Sequence, residues 1–520
     1  MNNSRVPRRK PSWVGEESPR WQHIRNLTIW ITVVVLIPGV LWSNFSPDCI
    51  ARPDDEVIEG SLKNIDLSYQ GPAVAWGTTS DNQGNIYVTG DCSREIHSAS
   101  DDSVPRAFKE YRADAFVSKM DPCGNRLWDY SLEGEGYQGG RAVTVDSAGA
   151  VYVAGFFEGS ITAGIGHGPH SRSSQAPHDD CFLVKMTQDG HLEQLVTWGS
   201  GAGDEALSVR ADDRGAVYVA GMMGGSLEGS GDPGSNGEPA RLGFLSKFNS
   251  ELTIEWTDYC ASYAKELAIS EDCGIFVVGS LDSNDGGSAD LGTAAGGSTD
   301  WRRASRAVLT RCDPEGRTAW SLVLADGGGS GGTGVAVARD GSVYVTGWFI
   351  GTADFHSVSG REILESNGTE EDAFLACYAP SGDCRWVRSW ETEWGAAFGP
   401  SIAVDPEGSV YVAGGYKGLT DLDPGDRIDQ HISMVGDLYS GHDANYWLVQ
   451  GCFPWLEDVF VSKFDTAGDF IWGRTFGGAE VDFATDLGVS ADGSLNVVGE
   501  SASQAFLIVL LPDGSIVTDE

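Results

Sequence analysis

Gly408-Ser409-Val410-Tyr411-Val412-Ala413-Gly414 is a short run of strand-favouring residues that ends on glycine and follows the turn-forming Asp405-Pro406-Glu407-Gly408. Its core of aromatic residue, Val, small residue and Gly recurs at 87–90, 152–155, 218–221, 276–279, 344–347 and 411–414. A degenerate copy lies at 496–499. The closing glycines stand 65, 66, 58, 68, 67 and 85 residues apart. A repeat at a near-constant step sets the architecture before any other feature is weighed.

The unit spans 395–480 in its clearest form. The apolar run 401–404, the turn 405–408 and the run 409–413 make a hairpin. After a long connection come the run 459–464, the turn 465–468 and the run 470–476, closed by Gly477-Gly478. Four short runs separated by Gly/Asp turns make one antiparallel meander. The third run recurs at 116–119, 182–185, 244–247, 308–311, 374–377, 460–463 and 506–509. Twelve residues past the start of this run stands a tryptophan in five copies: Trp128, Trp256, Trp320, Trp386 and Trp472. The second and third runs are almost wholly apolar, so both of their faces must be covered. One four-stranded sheet cannot do that, whereas seven stacked radially can.

The expectation is an all-β chain: a single seven-bladed β-propeller of four-stranded antiparallel blades over 62–520. The blades are placed roughly at 73–136, 139–203, 204–262, 264–329, 331–395, 396–478 and 481–520. Residues 62–69 read as a fourth strand without a blade of its own, suited to pair with the last blade; 515–519 compete for that place.

Ahead of the repeats, residues 27–45 (LTIWITVVVLIPGVLWSNF) carry no charge, and as a helix they are about long enough to span a bilayer. Six of the 35 basic residues precede position 27, and Asp48, Asp54, Asp55 and Glu56 follow the segment. This asymmetry keeps residues 1–26 in the cytoplasm as a disordered basic tail and exports the body. The segment reads as a transmembrane signal-anchor, since no small-x-small cleavage site follows Trp42; a cleaved signal peptide, giving a secreted product, is the alternative. Residues 46–61 are a linker. The net charge of −40 makes a nucleic-acid partner unfavourable.

The unit A-V-D-x-x-G-x-V-Y-V-[AT]-G, followed by D-x-F-[LV]-S-K-x-D-x-x-G-x-x-x-W-x-x-x-x-G-G, resembles the bacterial SBBP-type β-propeller repeat over roughly 62–520. The copy at 457–478 is the best match, and the copies starting at Ala264 and Val481 depart most. The resemblance implies a propeller outside the cytoplasm that serves as an interaction module, and it names no activity.

The connection between second and third runs is about 20 residues longer in the sixth copy than in its peers, and loops of such length commonly carry function. Its His431, Tyr439, His442, Asp443, Tyr446, Trp447 and Trp455 are the candidate contact residues for an envelope or extracellular protein or glycan. His167, His170 and His178 have a spacing that can hold zinc, set against a Ser/Gly/Pro-rich loop with little apolar support. The oxygen-rich stretches 421–426 and 282–285 suggest calcium, but neither matches the twelve-residue loop with a closing Glu. No cofactor is expected. Ten cysteines in an exported body suggest disulfides, with Cys377–Cys384 across a hairpin turn and Cys260–Cys273 as candidates.

Catalysis is not expected. Gly-x-x-x-Trp at 124–128, 316–320 and 468–472 is shared with quinoprotein propellers but is explained by packing. The Gly-x-Ser-x-Gly at 328–332 lacks the strand-to-helix setting of a nucleophile elbow. The reading is a membrane-anchored, extracytoplasmic binding scaffold. The alternatives are a propeller enzyme, quinoprotein-like or a calcium-dependent hydrolase, and a purely structural envelope protein.

Overall fold

The structure is a computed structural model. It describes residues 63–65, 71–94, 112–165, 168–174, 178–224, 241–260, 263–281, 305–357, 360–366, 371–390, 392–393, 397–425, 427–433, 457–478 and 481–517, all within the compact unit Val57–Glu520. Every regular element among them is a strand, and the fold is an all-β propeller. The basic tail, the apolar segment 27–45 and the linker lie outside the described residues. Among the described ones no helix is long and apolar enough to cross a membrane.

Among the described residues six sheets have four strands and one has seven, beside a three-stranded and a two-stranded sheet. The first sheet is Ala73–Ser80, Ile86–Arg94, Arg112–Met120 and Arg126–Leu132; the second is Gln138–Val145, Val151–Phe157, Asp180–Met186 and Leu192–Trp198. The third is Glu205–Ala211, Val217–Gly224, Arg241–Phe248 and Ile254–Tyr259; the fourth is Tyr263–Ile269, Ile275–Leu281, Arg306–Cys312 and Thr318–Val323. The seven-stranded fifth sheet contains the same meander, Ser330–Val337, Val343–Phe349, Asp372–Tyr378 and Cys384–Ser389, with Asp326–Gly327, Thr352–Ser357 and Gly360–Glu365 added. The sixth is Ala397–Val404, Val410–Lys417, Glu457–Phe464 and Phe470–Phe476. The seventh takes three strands from the end of the chain, Asp482–Val489, Leu495–Ser501 and Gln504–Leu510, and its outer strand, Lys63–Asn64, from the beginning. That strand pairs Lys63 with Leu507 and Asn64 with Phe506. The carboxy-terminal competitor makes one bridge, Leu510 to Ile516.

The first strand of each sheet packs on the first strand of the next, and that of the seventh packs on the first. Second and third strands are sandwiched between neighbouring sheets. Val151–Phe157 and Asp372–Tyr378 are buried at every residue, whereas the outer strands Ile254–Tyr259 and Thr318–Val323 alternate with solvent.

The repeated residues explain themselves in the turns. Between first and second strands, one oxygen of Asp81, Asp146, Asp212 and Asp405 accepts two backbone N–H groups, at positions two and four further on, over 2.7–3.0 Å. The glycine three residues after each Asp has positive φ, 80° at Gly84 and 94° at Gly408, which favours Gly there. The second carboxylate oxygen accepts the hydroxyl of the tyrosine six residues on, at 2.9 Å for Tyr411 and 3.5 Å for Tyr218. Tyr411→Phe therefore leaves a buried Asp405 oxygen without that donor. It is expected to lower stability by about 1–2 kcal/mol, read as a shift in the denaturant midpoint, with a smaller effect for Tyr218→Phe.

The recurrent tryptophans join sheets. A Cβ on Gly190, Gly316, Gly468 or Gly514 would sit 2.8–3.1 Å from the indole of Trp128, Trp256, Trp386 or Trp472, each of which belongs to the preceding sheet. The Trp128 and Trp472 indole N–H groups donate to Gln188 O and Pro512 O across the same joints, at 3.1 and 3.2 Å. The third-strand cations Lys119, Lys185, Arg311 and Lys463 each reach the corresponding turn of the next sheet, at Gln188, Ser250, Pro380 and Pro512. The seam between the seventh and first sheets has an apolar core, with Val88 and Phe116 packed against Val498 and Leu507, and adds polar contacts to it: Thr485 donates to Ala75 O at 2.6 Å, and the Ser490 and Ser80 hydroxyls bond at 2.9 Å.

The disulfide expectation is corrected. Cys260, Cys273, Cys377 and Cys384 are thiols. A register shift after Cys377 places it opposite Trp386 and places Cys384 opposite Tyr378. The two side chains then enter different cores, Cys377 between the fifth and sixth sheets and Cys384 between the fourth and fifth. Cys260 precedes the strand Tyr263–Ile269 and Cys273 follows it, which puts about 20 Å of strand between them.

Candidate functional site: the axial cavity

Each pairing of first and second strands breaks register once, at Ala75/Gly77, Gly140/Ala142, Ala206/Ser208, Ala264/Glu266, Gly332/Gly334, Phe398/Ser401 and Ala484/Asp486. Such bulges re-aim the extra residue. In six sheets that residue is Trp76, Arg141, Leu207, Lys265, Thr333 or Thr485, and all six line one cavity of about 250 Å³.

The residue after the bulge is small in five sheets: Gly77, Ala142, Ser208, Gly334 and Ser401. In the other two it is Glu266 and Asp486, both in the cavity wall. Arg210 Nη2 donates to Glu266 Oε1 at 2.7 Å, and the Val335 N–H lies 3.4 Å from Oε2. Burial pushes the Glu266 carboxyl up to about 7 against the pull of Arg210. Asp486 accepts the Thr78 N–H at 2.8 Å, the Ser401 hydroxyl at 2.7 Å and the Leu487 N–H at 2.9 Å; burial still raises its pKa. The Arg141 guanidinium lies 4.6 Å from the Trp76 ring and 4.7 Å from that of Phe156, and pairs with Asp91 at 3.5 Å. Glu457 leans over Gly415, where a Cβ would stand 2.3 Å from its Oε1. Burial raises this carboxyl to about 7, opposed by Lys417.

The residues singled out in the sequence lie elsewhere. His431, on Gln430–Ile432, is half-buried, with Nε2 3.3 Å from Asp429 Oδ1 and Nδ1 3.3 Å from the Thr475 hydroxyl. Tyr439, His442, Asp443, Tyr446, Trp447 and Trp455 are outside the described residues, as is His167. His170 falls on the strand Gly168–Ser173, opposite Ala163, and His178 is exposed. Among the described residues no group of three His, Cys, Asp or Glu side chains could hold a metal. Asp421 Oδ1 accepts the N–H groups of Asp423 and Asp429 at 3.1 and 2.9 Å, which makes it a hairpin cap. Ser330 is fully buried at the start of a strand, and its Oγ accepts the Ala307 N–H, so the Gly-x-Ser-x-Gly there is no elbow.

Sequence reasoning missed Glu266 and Asp486. The signal was present: they lie in the copies that depart most from the repeat, at the one position where the other five are small.

No family model matches the sequence, and no curated protein matches it. Among solved structures, the WD40 domain of Neurospora crassa Pan2 matches at 8% identity and TM-score 0.41, over 86% of this chain and 92% of that one. Hydrazine synthase of Kuenenia stuttgartiensis matches at 11% and 0.43, over 85% and 96%. Regucalcin of Agrobacterium tumefaciens, a calcium-binding protein, matches at 12% and 0.32, over 76% and 91%. These likenesses are of fold alone, the all-β propeller.

Proposed function

We propose that the chain is a seven-bladed propeller of the SBBP repeat type, tethered outside the cytoplasm by residues 27–45, and that it works as a binding scaffold rather than a catalyst. One observation carries this reading. In the second, fifth and sixth sheets the connection between second and third strands carries a hairpin fastened by one clasp. The N–H of Gly159, Gly351 and Gly418 donates to the hydroxyl of Ser174, Ser366 and Ser433 at 3.0, 2.6 and 2.8 Å, and the serine N–H returns to the glycine carbonyl. A fixed frame that holds connections of different sequence in one manner suits presentation to a partner.

The sixth connection continues beyond its clasp into the aromatic-rich residues 434–456. Deletion of 434–453 spares Ser433 and is expected to leave the unfolding midpoint unchanged while abolishing capture of the partner in envelope cross-linking. Capture that persists after the deletion refutes the assignment of this loop.

A further inference from the structure

We propose that the axial cavity is a second binding site, independent of the loop surface, and that its ligand is a single neutral sugar ring. The wall is mixed in a specific way. Trp76, one face of which is covered by the Arg141 guanidinium, and Phe483 come from the adjoining first and seventh sheets, are partly exposed, and supply aromatic surface for the C–H face of a pyranose. Lys265 and Arg210 supply donors; Glu266 and Glu457 supply carboxyl oxygens. An anion would meet those carboxylates, and a cation would meet Lys265 and Arg210. A hydroxyl both donates and accepts, so a polyol uses both kinds of group at once. Lys265 has no hydrogen-bond or ion-pair partner among the described residues, unlike Arg141 and Arg210, which are held by Asp91 and Glu266. Its ammonium is available to a ligand. The volume of about 250 Å³ leaves room for a sugar ring.

The position of the residues supports the assignment. Trp76 and Lys265 are the extra residues of β-bulges, and the repeat does not need them for its own pairing. Sheets that serve only to pack could carry small residues there.

The test uses the full-length protein in a sugar-free detergent, titrated calorimetrically with methyl glycosides of glucose, galactose, mannose and N-acetylglucosamine. Glucuronate and glucosamine serve as charged controls. One neutral glycoside is expected to bind with 1:1 stoichiometry. Lys265→Met should weaken it about tenfold or more, the loss of one charged hydrogen bond. Leu207→Trp, which fills the cavity, should abolish binding. Circular dichroism and the melting midpoint of Lys265→Met should match wild type. Tighter binding of an oligosaccharide ending in the same sugar identifies a glycan end; equal binding identifies the free sugar. The proposal is overturned if no neutral glycoside binds, if only a charged control binds, or if Lys265→Met binds as wild type does. None of these results bears on capture through residues 434–456.

Discussion

Gly155→Ala is expected to destabilise the protein by about 3 kcal/mol or more, the upper end for overpacking a filled interior. A Cβ on Gly155 would lie 2.0 Å from Gly139 O and 2.9 Å from the Phe182 ring. Neither neighbour is a flexible side-chain end. The carbonyl belongs to the first strand beside its bulge, and Phe182 is fully buried in the core between the first and second sheets. Relief requires the two strands to part, which breaks the bulge that aims Arg141 into the cavity. The same encounter recurs at Gly90, Gly221, Gly279, Gly347 and Gly499, each within 1.8–2.1 Å of a first-strand carbonyl. Gly164→Ala is the control: it is exposed, and its Cβ would meet only the Tyr130 hydroxyl, at 3.8 Å. A change within about 0.5 kcal/mol is expected there. Equal unfolding midpoints for the two variants would show that the closing glycine is not set by this contact.

That glycine, together with the tryptophan twelve residues past the third-strand start, is why the fold was legible in the sequence. Both are demands of contacts made in every copy, so they recur and can be counted. Asp405 and Tyr411 are legible for the same reason, since the turn and the hydroxyl that seals it are local. The axial site was not legible in this way, because Glu266, Asp486 and Lys265 are separated by up to three repeats and meet only when the first strands are brought together. A repeat search treats them as blemishes in poor copies, and the physical content lies in those blemishes. Cys377 and Cys384 face each other only in a hairpin without the bulge after Cys377, which turns the following residues to the other face. The sixth-copy loop attracted attention through its length and aromatic content, yet its one described candidate, His431, is engaged with Asp429 and Thr475 of its own sheet region.

The stability of the folded protein is expected to fall as pH rises from about 5 to 8, and Glu266 is expected to carry a large share. Its carboxyl titrates at 4.5 in the free chain and at about 7 in the fold, chiefly because burial disfavours the anion. A folded-state pKa above the unfolded value means that the contribution is complete below 4.5 and is lost as pH climbs through 7. At about 1.4 kcal/mol per pH unit, this amounts to roughly 3 kcal/mol. Glu457, raised from 4.5 to about 7, and Asp179, raised from 3.8 to about 6, act in the same direction. Asp81, Asp272 and Asp340 oppose them at the acid end. Their pKa values lie below 3.8, so their contribution is present above that value and fades as pH drops under it. The expected optimum therefore lies near pH 5. The net charge of −40 adds a general repulsion of the same sign, but salt screens charges at the surface far more than buried ones. Melting midpoints taken at pH 5 and pH 8 in high salt isolate the buried part. Glu266→Gln keeps the shape and cannot ionise, so its midpoint should fall less over this interval than that of the wild type. If the two proteins lose the same amount in high salt, the axial carboxyl is already ionised at low pH, and the pair with Arg210 outweighs its desolvation.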